Sequence, residues 1–182
     1  MAPVLPDTSA SFHLMVSEEE NSAVMGGKTH SYTCALTWTG NLGSGTSGYK
    51  AYARDHVFRR PGRPDLPGSS DPAFRGDPLR WNPEELLVAA LSSCHMLWYL
   101  HLCSDAGVVV LAYSDEAAGT MVEDAARGGY FTQVTLHPKV TIARASDAAK
   151  AAELHHPAHE KCFVANSVNF PVACEPETVV SE

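Results

Sequence analysis

The sequence has no surplus of positive charge. Its 13 Lys and Arg stand against 21 Asp and Glu, a formal net charge of -8 with a pI near 5.5. That balance disfavours binding to nucleic acid or to an anionic membrane surface, both of which need basic patches. No basic-then-apolar leader pattern opens the chain. No stretch reads as a membrane span, because the one long apolar segment carries glutamates at its start and His and Asp at its end. The five cysteines are an odd number, scattered without the spacing of a disulfide framework. The expectation is a cytoplasmic protein, in which a disulfide that forms is catalytic or redox-sensing rather than structural. Internal repeats and low-complexity tracts are also missing. What is present is an ordinary globular composition, 45% hydrophobic and 19% charged over 182 residues. That is enough for one domain with a core, and it excludes disorder.

The strongest pattern runs from Asn82 to Gly107, NPEELLVAALSSCHMLWYLHLCSDAG. Asn82 is a good N-cap, Pro83 suits the first helical position, and Glu85 completes a capping-box spacing. Gly107 stands where a left-handed C-cap belongs. Between these signals Leu, Val, Ala, Met, Trp and Tyr cover nearly every side, which predicts a long buried central helix.

Residues 1–29 read as an N-terminal extension, expected to be poorly ordered. Within it are a short strand over Phe12–Val16, an acidic run at Glu18–Glu20 and an alternative start at Met25. Residues 30–182 read as one domain. Tyr32, Cys34, Leu36 and Trp38 alternate as a half-buried strand with Cys34 packed inward. Gly40–Gly48 is the turn and Tyr49–Phe58 the second strand of an antiparallel hairpin. Arg59–Arg80 is a Pro-rich connection without helix or strand pattern. Its Arg59, Arg60, Arg63, Arg75 and Arg80 make either a solvated loop or a cover over a site that wants positive charge. Past the helix, strands are predicted over Val108–Glu123 with a bend at Gly119, over Tyr130–Ala143, and over Phe170–Val180. Ser146 and Asp147 cap a helix over Ala148–His156. Pro157 interrupts it before a second run to about Asn166. The order of elements defines an α+β domain with antiparallel sheets around one buried helix.

Two cysteines sit in helical segments. Cys94 lies in the middle of the long helix, where burial raises a thiol pKa and the helix dipole gives no help. Packing is the default reading for such a residue. To act as a nucleophile it needs a cation from elsewhere. His95 points about 100° away round the helix and is a poor base for it. Cys162 belongs to HHPAHEKCF, in which His155, His159 and Cys162 fall at i, i+4 and i+7. That is one helical face and also metal-ligand spacing. Cys103 reads as packing, and Cys174 takes no role.

The segment NPEELLVAALSSCH, together with Cys162 in AHEKCFVANS, closely resembles the OsmC/Ohr family of osmotically inducible and organic hydroperoxide resistance proteins. The resemblance covers roughly residues 30–180 in order of elements. It implies an OsmC-like α+β fold, an intertwined homodimer and a thiol peroxidase without cofactor that reduces organic hydroperoxides. Carried over residue by residue, it makes Cys94 the peroxidatic thiol and Cys162 the resolving one. Glu84 of the NPE step matches the family's glutamate, and Arg54 of the Arg54–Asp55 step its thiolate-binding arginine. An external dithiol of lipoyl type is the implied reductant. The HMLWYLH continuation after Cys94 and the Phe163 after Cys162 depart from the better-known members and point to a less characterised branch.

Physical chemistry adds two expectations. Arg54 would supply the charge that lowers the Cys94 pKa, with Glu84 fixing its guanidinium. An apolar wall of Leu91, Met96, Leu97 and Trp98 would suit an alkyl hydroperoxide. Yet Glu84 and Cys94 on one helix are about 15 Å apart at roughly 1.5 Å per residue. Unless the helix breaks, the expectation is that two chains share each site, with Glu84, and with it the Arg-bearing strand, coming from a second copy of the chain. The alternative is a non-enzymatic thiol or metal-binding redox sensor built on Cys94, Cys162 and His159. A hydrolase-like use of Cys94 with His159 as base ranks last.

Overall fold

The computed structural model describes residues 27–126 and 128–182. The strand expected over Phe12–Val16, the acidic run and the alternative start at Met25 lie outside the described residues. By its contacts the chain divides into a unit up to Thr33 and a unit from Cys34 to Glu182. Of the first, residues 27–33 are described, and they are irregular and exposed.

The second unit begins with an antiparallel sheet of β1 (Ala35–Trp38), β2 (His56–Arg59) and β3 (Leu66–Gly68) in that order. The expected hairpin is present, but its second strand is shorter than the Tyr49–Phe58 pattern implies. Gly40–Asp55 is instead a long run of turns in which Asn41 Oδ1 accepts from the N–H groups of Gly43 and Gly45. β3 lies inside the Pro-rich connection, where no strand pattern is legible. Its Pro67 sits on the edge of the sheet, where a missing N–H breaks no ladder bond. Cys34 corrects another expectation: it is exposed, and Trp38 is 40% exposed. Among the described residues no layer covers this face. The sheet is tied to the segment before the long helix through Asp55, which accepts from Ser69 Oγ at 3.2 Å and pairs with Arg80 Nε at 3.5 Å. A backbone bridge from Gly68 to Trp81 adds to this.

α1 (Pro83–Asp105) starts and stops as its signals require. Asn82 Oδ1 accepts from the Glu85 N–H at 2.7 Å, and Glu85 Oε2 accepts from the Asn82 N–H at 3.2 Å. At the other end Gly107 takes φ 73°. The Val108 N–H reaches Cys103 O and the Gly107 N–H reaches Ser104 O, which is the Schellman pattern. The helix is long and apolar enough to cross a membrane, with mean hydropathy 1.5 over its best window. Here one stripe of it is fully buried: Leu91, His95, Tyr99 and Cys103. The rest of its apolar surface is half-covered or open, Leu97 being 63% exposed.

Each strand expected after the helix is broken in two. The first gives β4 (Val110–Asp115) and β5 (Ala118–Val122), and the second gives β6 (Tyr130–Leu136) and β7 (Pro138–Ile142). The third gives β8 (Val172–Cys174) and β9 (Glu177–Val180). The break has a polar cause. Asp115 Oδ1 accepts the His137 N–H at 2.7 Å, and Pro138 next to it has no N–H for a ladder. The long hairpin therefore folds into two sheets, ordered β4-β7-β9 and β5-β6-β8, in which the last strands join in parallel to their neighbours.

Two short helices, α2 (Ala148–Glu153) and α3 (His155–Lys161), close the unit. Asp147 caps α2 by accepting the Lys150 N–H. The interruption falls at Leu154 rather than at Pro157. Pro157 lies in the first turn of α3, where its missing N–H has no helical partner to lose. The core is in two parts. Leu91, Val134 and Leu136 join the first half of α1 to the β5-β6-β8 sheet. Tyr99, Cys103, Val140, Ile142 and Ala158 join its second half to the β4-β7-β9 sheet and the short helices.

Asn82→Ala removes the side-chain half of the capping box and is expected to cost about 1 kcal/mol. That corresponds to a fall of roughly 2–4 °C in thermal midpoint for a chain of this size. Calorimetry checks it, and an unchanged midpoint would mean that Pro83 and the Glu85 carboxylate define the start without Asn82.

Candidate active site

Cys94 and Cys162, far apart in sequence, meet where α3 crosses α1. Cys162 is the residue at which the chain leaves α3, with φ -70° and ψ 106°. Cys162 is 1% exposed and lies close enough to the half-buried Cys94 for the two thiols to interact. The Ala165 N–H also points at Cys162 Sγ, 3.4 Å away. Burial, then the hydrogen bond with Cys94, push the Cys162 thiol up to about 11, against the opposing Ala165 N–H. The two sulfurs thus differ in kind: Cys94 is reachable from outside, and Cys162 is held behind it as a protonated thiol. Neither is in a disulfide. One turn on from Cys94, Trp98 meets the Phe163 ring edge-on at 5.5 Å, with Lys161 Nζ 5.8 Å from the Trp98 ring. Of the other residues expected as a wall, Leu91 faces the β5-β6-β8 core and Leu97 is exposed.

Arg54 and Glu84 are not brought to Cys94 within one chain. The Arg54 guanidinium donates to Tyr52 O at 2.6 Å and Tyr49 O at 2.9 Å, and lies 4.2 and 4.4 Å from the centres of their rings. It is therefore a preformed, oriented cation on the hairpin. Glu84 Oε2 is buried and has no hydrogen-bond partner among the described residues. It faces a groove of about 820 Å³ that runs beside α1 and is lined by Trp81, Val88, Ser92, Met96 and Phe131 among others. A buried carboxylate oxygen without a partner is costly, so the groove wants a donor that the described residues do not supply. The arginines of the Pro-rich connection do not supply it: Arg59 pairs with Asp65, Arg80 pairs with Asp55 and Asp77, and Arg60, Arg63 and Arg75 are exposed.

The expected metal-ligand face His155, His159, Cys162 does not assemble. Cys162 goes to Cys94, while His155 goes to His95, whose Nε2 lies 3.0 Å from His155 Nδ1 with the rings stacked at an interplanar angle of 9°. Cys174 Sγ approaches from β8, at 3.6 Å from His95 Nε2 and 3.9 Å from His155 Nδ1. Among the described residues this trio, and not Cys94, Cys162 and His159, is the group whose donor atoms converge. Burial, then His95, lower His155 to about 4. Burial, then His159, lower His95, with Asp115 opposing. Burial, then Asp115 and Glu175, push the Cys174 thiol up to about 12. Sequence reasoning passes over His95 and Cys174. The one available signal is polar His95 in the apolar i, i+4 stripe of Leu91, Tyr99 and Cys103.

The fold and the thiol pair together define a small α+β protein with a two-cysteine centre between a long helix and a short one. The chain belongs to the OsmC-like family: residues 76–177 match the family described as OsmC-like protein. Its structure is similar to that of an OsmC-like protein of unknown function from Vibrio cholerae, with 32% identity and a TM-score of 0.72 over 81% of this chain and 99% of that one. It is also similar to an organic hydroperoxide resistance protein from Elizabethkingia anophelis (17% identity, TM-score 0.59, 85% and 100% covered). A third likeness is to the organic hydroperoxide resistance protein OhrB of Bacillus subtilis (22% identity, TM-score 0.52, 81% and 98% covered). These last two show the fold alone. No curated protein sequence matches the chain significantly.

The buried histidines make stability pH-dependent. Both stay neutral when folded, while the unfolded chain takes up protons near pH 6.5. Between there and about pH 4 the unfolded state binds more protons, so stability falls as the pH drops through that window. Urea unfolding with chelator present should show this as a falling midpoint. In His155→Phe, which keeps a ring against Tyr99, the slope should be shallower. Equal slopes in the two proteins would contradict the assignment.

Proposed function

We propose that the protein is a homodimeric cysteine peroxidase of the cytoplasm that reduces organic hydroperoxides to alcohols. The observation that carries this reading is the juxtaposition of Cys94 and Cys162 where α3 packs on α1, a half-buried thiol backed by a buried one. The Cys94 thiolate attacks the outer oxygen of the peroxide in line with the O–O bond. That bond breaks, the alkoxide takes a proton and leaves as the alcohol, and Cys94 becomes a sulfenic acid. Cys162 then attacks the sulfenic sulfur as a thiolate, forming the disulfide and releasing water. Its raised pKa makes this step depend on proton removal. An external dithiol, of lipoyl type by family resemblance, reduces the disulfide and is itself oxidised.

The dimer reading draws support from what one chain leaves open. The β1–β2–β3 sheet exposes Leu36 and Trp38, α1 exposes Leu97, and the groove beside α1 buries an unpartnered Glu84 oxygen. Exposed apolar side chains gathered on one sheet and on the long helix support an interface reading. Glu84 stands too far along α1 to touch Cys94 of its own chain. In the proposed assembly the partner's Glu84 orients Arg54, and Arg54 stabilises the Cys94 thiolate and the charge developing on the peroxide oxygens.

Turnover of an alkyl hydroperoxide with a dithiol reductant tests the chemistry. Cys94→Ser should abolish it. Cys162→Ser should leave a single turnover that stops at a trappable sulfenic acid, and Cys34→Ser should change nothing. Turnover that survives Cys94→Ser sinks the proposal. Shared sites are tested by mixing Cys94→Ser and Glu84→Gln chains, each nearly inactive alone. Random reassociation makes half the dimers mixed, each with one intact site, so about a quarter of wild-type activity should return. No recovery would place Cys94 and Glu84 in the same chain's site.

A further inference from the structure

His95, His155 and Cys174 come from α1, α3 and β8, and the thiol-pair chemistry uses none of them. Their facing atoms form a closed triangle with sides of 3.0, 3.6 and 3.9 Å. A point inside it lies about 2 Å from all three atoms. Zinc takes nitrogen at roughly 2.0–2.1 Å and sulfur at roughly 2.3 Å, so a few tenths of an ångström of movement at the sulfur completes the fit. We propose that His95 Nε2, His155 Nδ1 and Cys174 Sγ bind a soft d¹⁰ metal ion, Zn²⁺ or Cu⁺.

The ligand types favour this class. Two imidazoles and a thiolate suit zinc and cuprous copper, while calcium and magnesium take oxygen. Both rings are fixed before any ion arrives. His155 stacks on Tyr99 with ring centres 3.9 Å apart, and His95 is 0% exposed within the helix stripe. Asp115 lies within electrostatic reach of both His95 and Cys174, and its charge offsets the positive charge that a divalent ion with one thiolate retains. The hydroxyl of Tyr113 is buried without a hydrogen-bond partner among the described residues and is within electrostatic reach of Cys174.

A hydrogen-bonded histidine pair alone accounts for the arrangement poorly. One shared hydrogen serves the two buried inward nitrogens, and the part-buried Cys174 thiol adds only a long, weak contact. An ion turns the two inward lone pairs and the sulfur into bonds. The Cys174 proton leaves to solvent, and each ring keeps its proton on the outer nitrogen. Those outer nitrogens, His95 Nδ1 and His155 Nε2, have no acceptor among the described residues. Affinity therefore rests on the three ligands and not on an outer shell.

The test uses the full chain, reduced and stripped with chelator, with Cys94→Ser/Cys162→Ser as background so that the thiol pair cannot contribute. Zn²⁺ is titrated against a chromophoric chelator and Cu⁺ against a cuprous chelator. Co²⁺ replaces zinc to give a thiolate-to-cobalt charge-transfer band. We expect one ion per chain and the cobalt band. Cys174→Ala and His155→Gln, checked for folding by circular dichroism, should weaken binding by more than about 100-fold, beyond the roughly 10–100-fold of outer-shell changes. Binding of either ion alone supports the site and selects its metal. Failure of both ions and no cobalt band overturns it, and so does binding that survives Cys174→Ala and His155→Gln. Peroxidase activity is not a readout here, so the two proposals fail separately.

Discussion

A single helix has to serve two sheets. The fold-back of the long hairpin at Asp115 and His137 leaves the β5-β6-β8 and β4-β7-β9 sheets with separate cores, and α1 is the element common to both. That constraint fixes the helix length and demands firm ends, which the capping box and the Schellman close provide. It also decides which residues meet: the stripe from Leu91 to Cys103 lies on the sheets, and α3 crosses beside it. Cys94 and His95, adjacent in sequence and about 100° apart round the axis, are consequently delivered to different neighbours. Cys94 meets Cys162 and His95 meets His155.

Stability and chemistry are divided along the same line. The apolar residues of the stripe carry packing, at roughly 25 cal/mol per Å² buried. The polar groups Asp115, His95, His155 and Cys174 gather between the two cores. Asp115 is central there. It takes the His137 N–H that the broken strand cannot use, accepts from Ser92, and acts on both His95 and Cys174. A residue that ends a strand thereby also sets the charge around the buried trio.

Much of this is legible in the residues. Asn82, Glu85 and Gly107 mark the helix ends through local hydrogen bonds, which spacing alone encodes. The NPE step and the two cysteines carry the family. The rest depends on contacts across the chain. Cys34 alternates with apolar neighbours and reads as inward, but its sheet has no covering layer among the described residues. β3 holds Pro67 and Gly68, poor strand formers retained by pairing with β2. The strand breaks arise from Asp115 reaching His137, which no local pattern shows. His155 and Cys162 share a helical face by spacing and read as one group. In the fold they lie about two turns apart along α3 and serve different partners. Cys174 gives no signal, since its neighbours are set by β8 joining β6 in parallel.

The three chain crossings between the sheets, after Asp115, after Leu136 and after Cys174, fall at one level. The hydrogen-bond ladders stop there together, so that level acts as a crease running across the molecule. A crease bends easily unless something rigid spans it, and α1 is the splint. Cys94 and His95 sit at the middle of that splint, where bending of the two halves would be felt most. A bond formed there, whether between sulfurs or through an ion, tightens the crease itself and so sets the stiffness of the whole fold from one turn of helix.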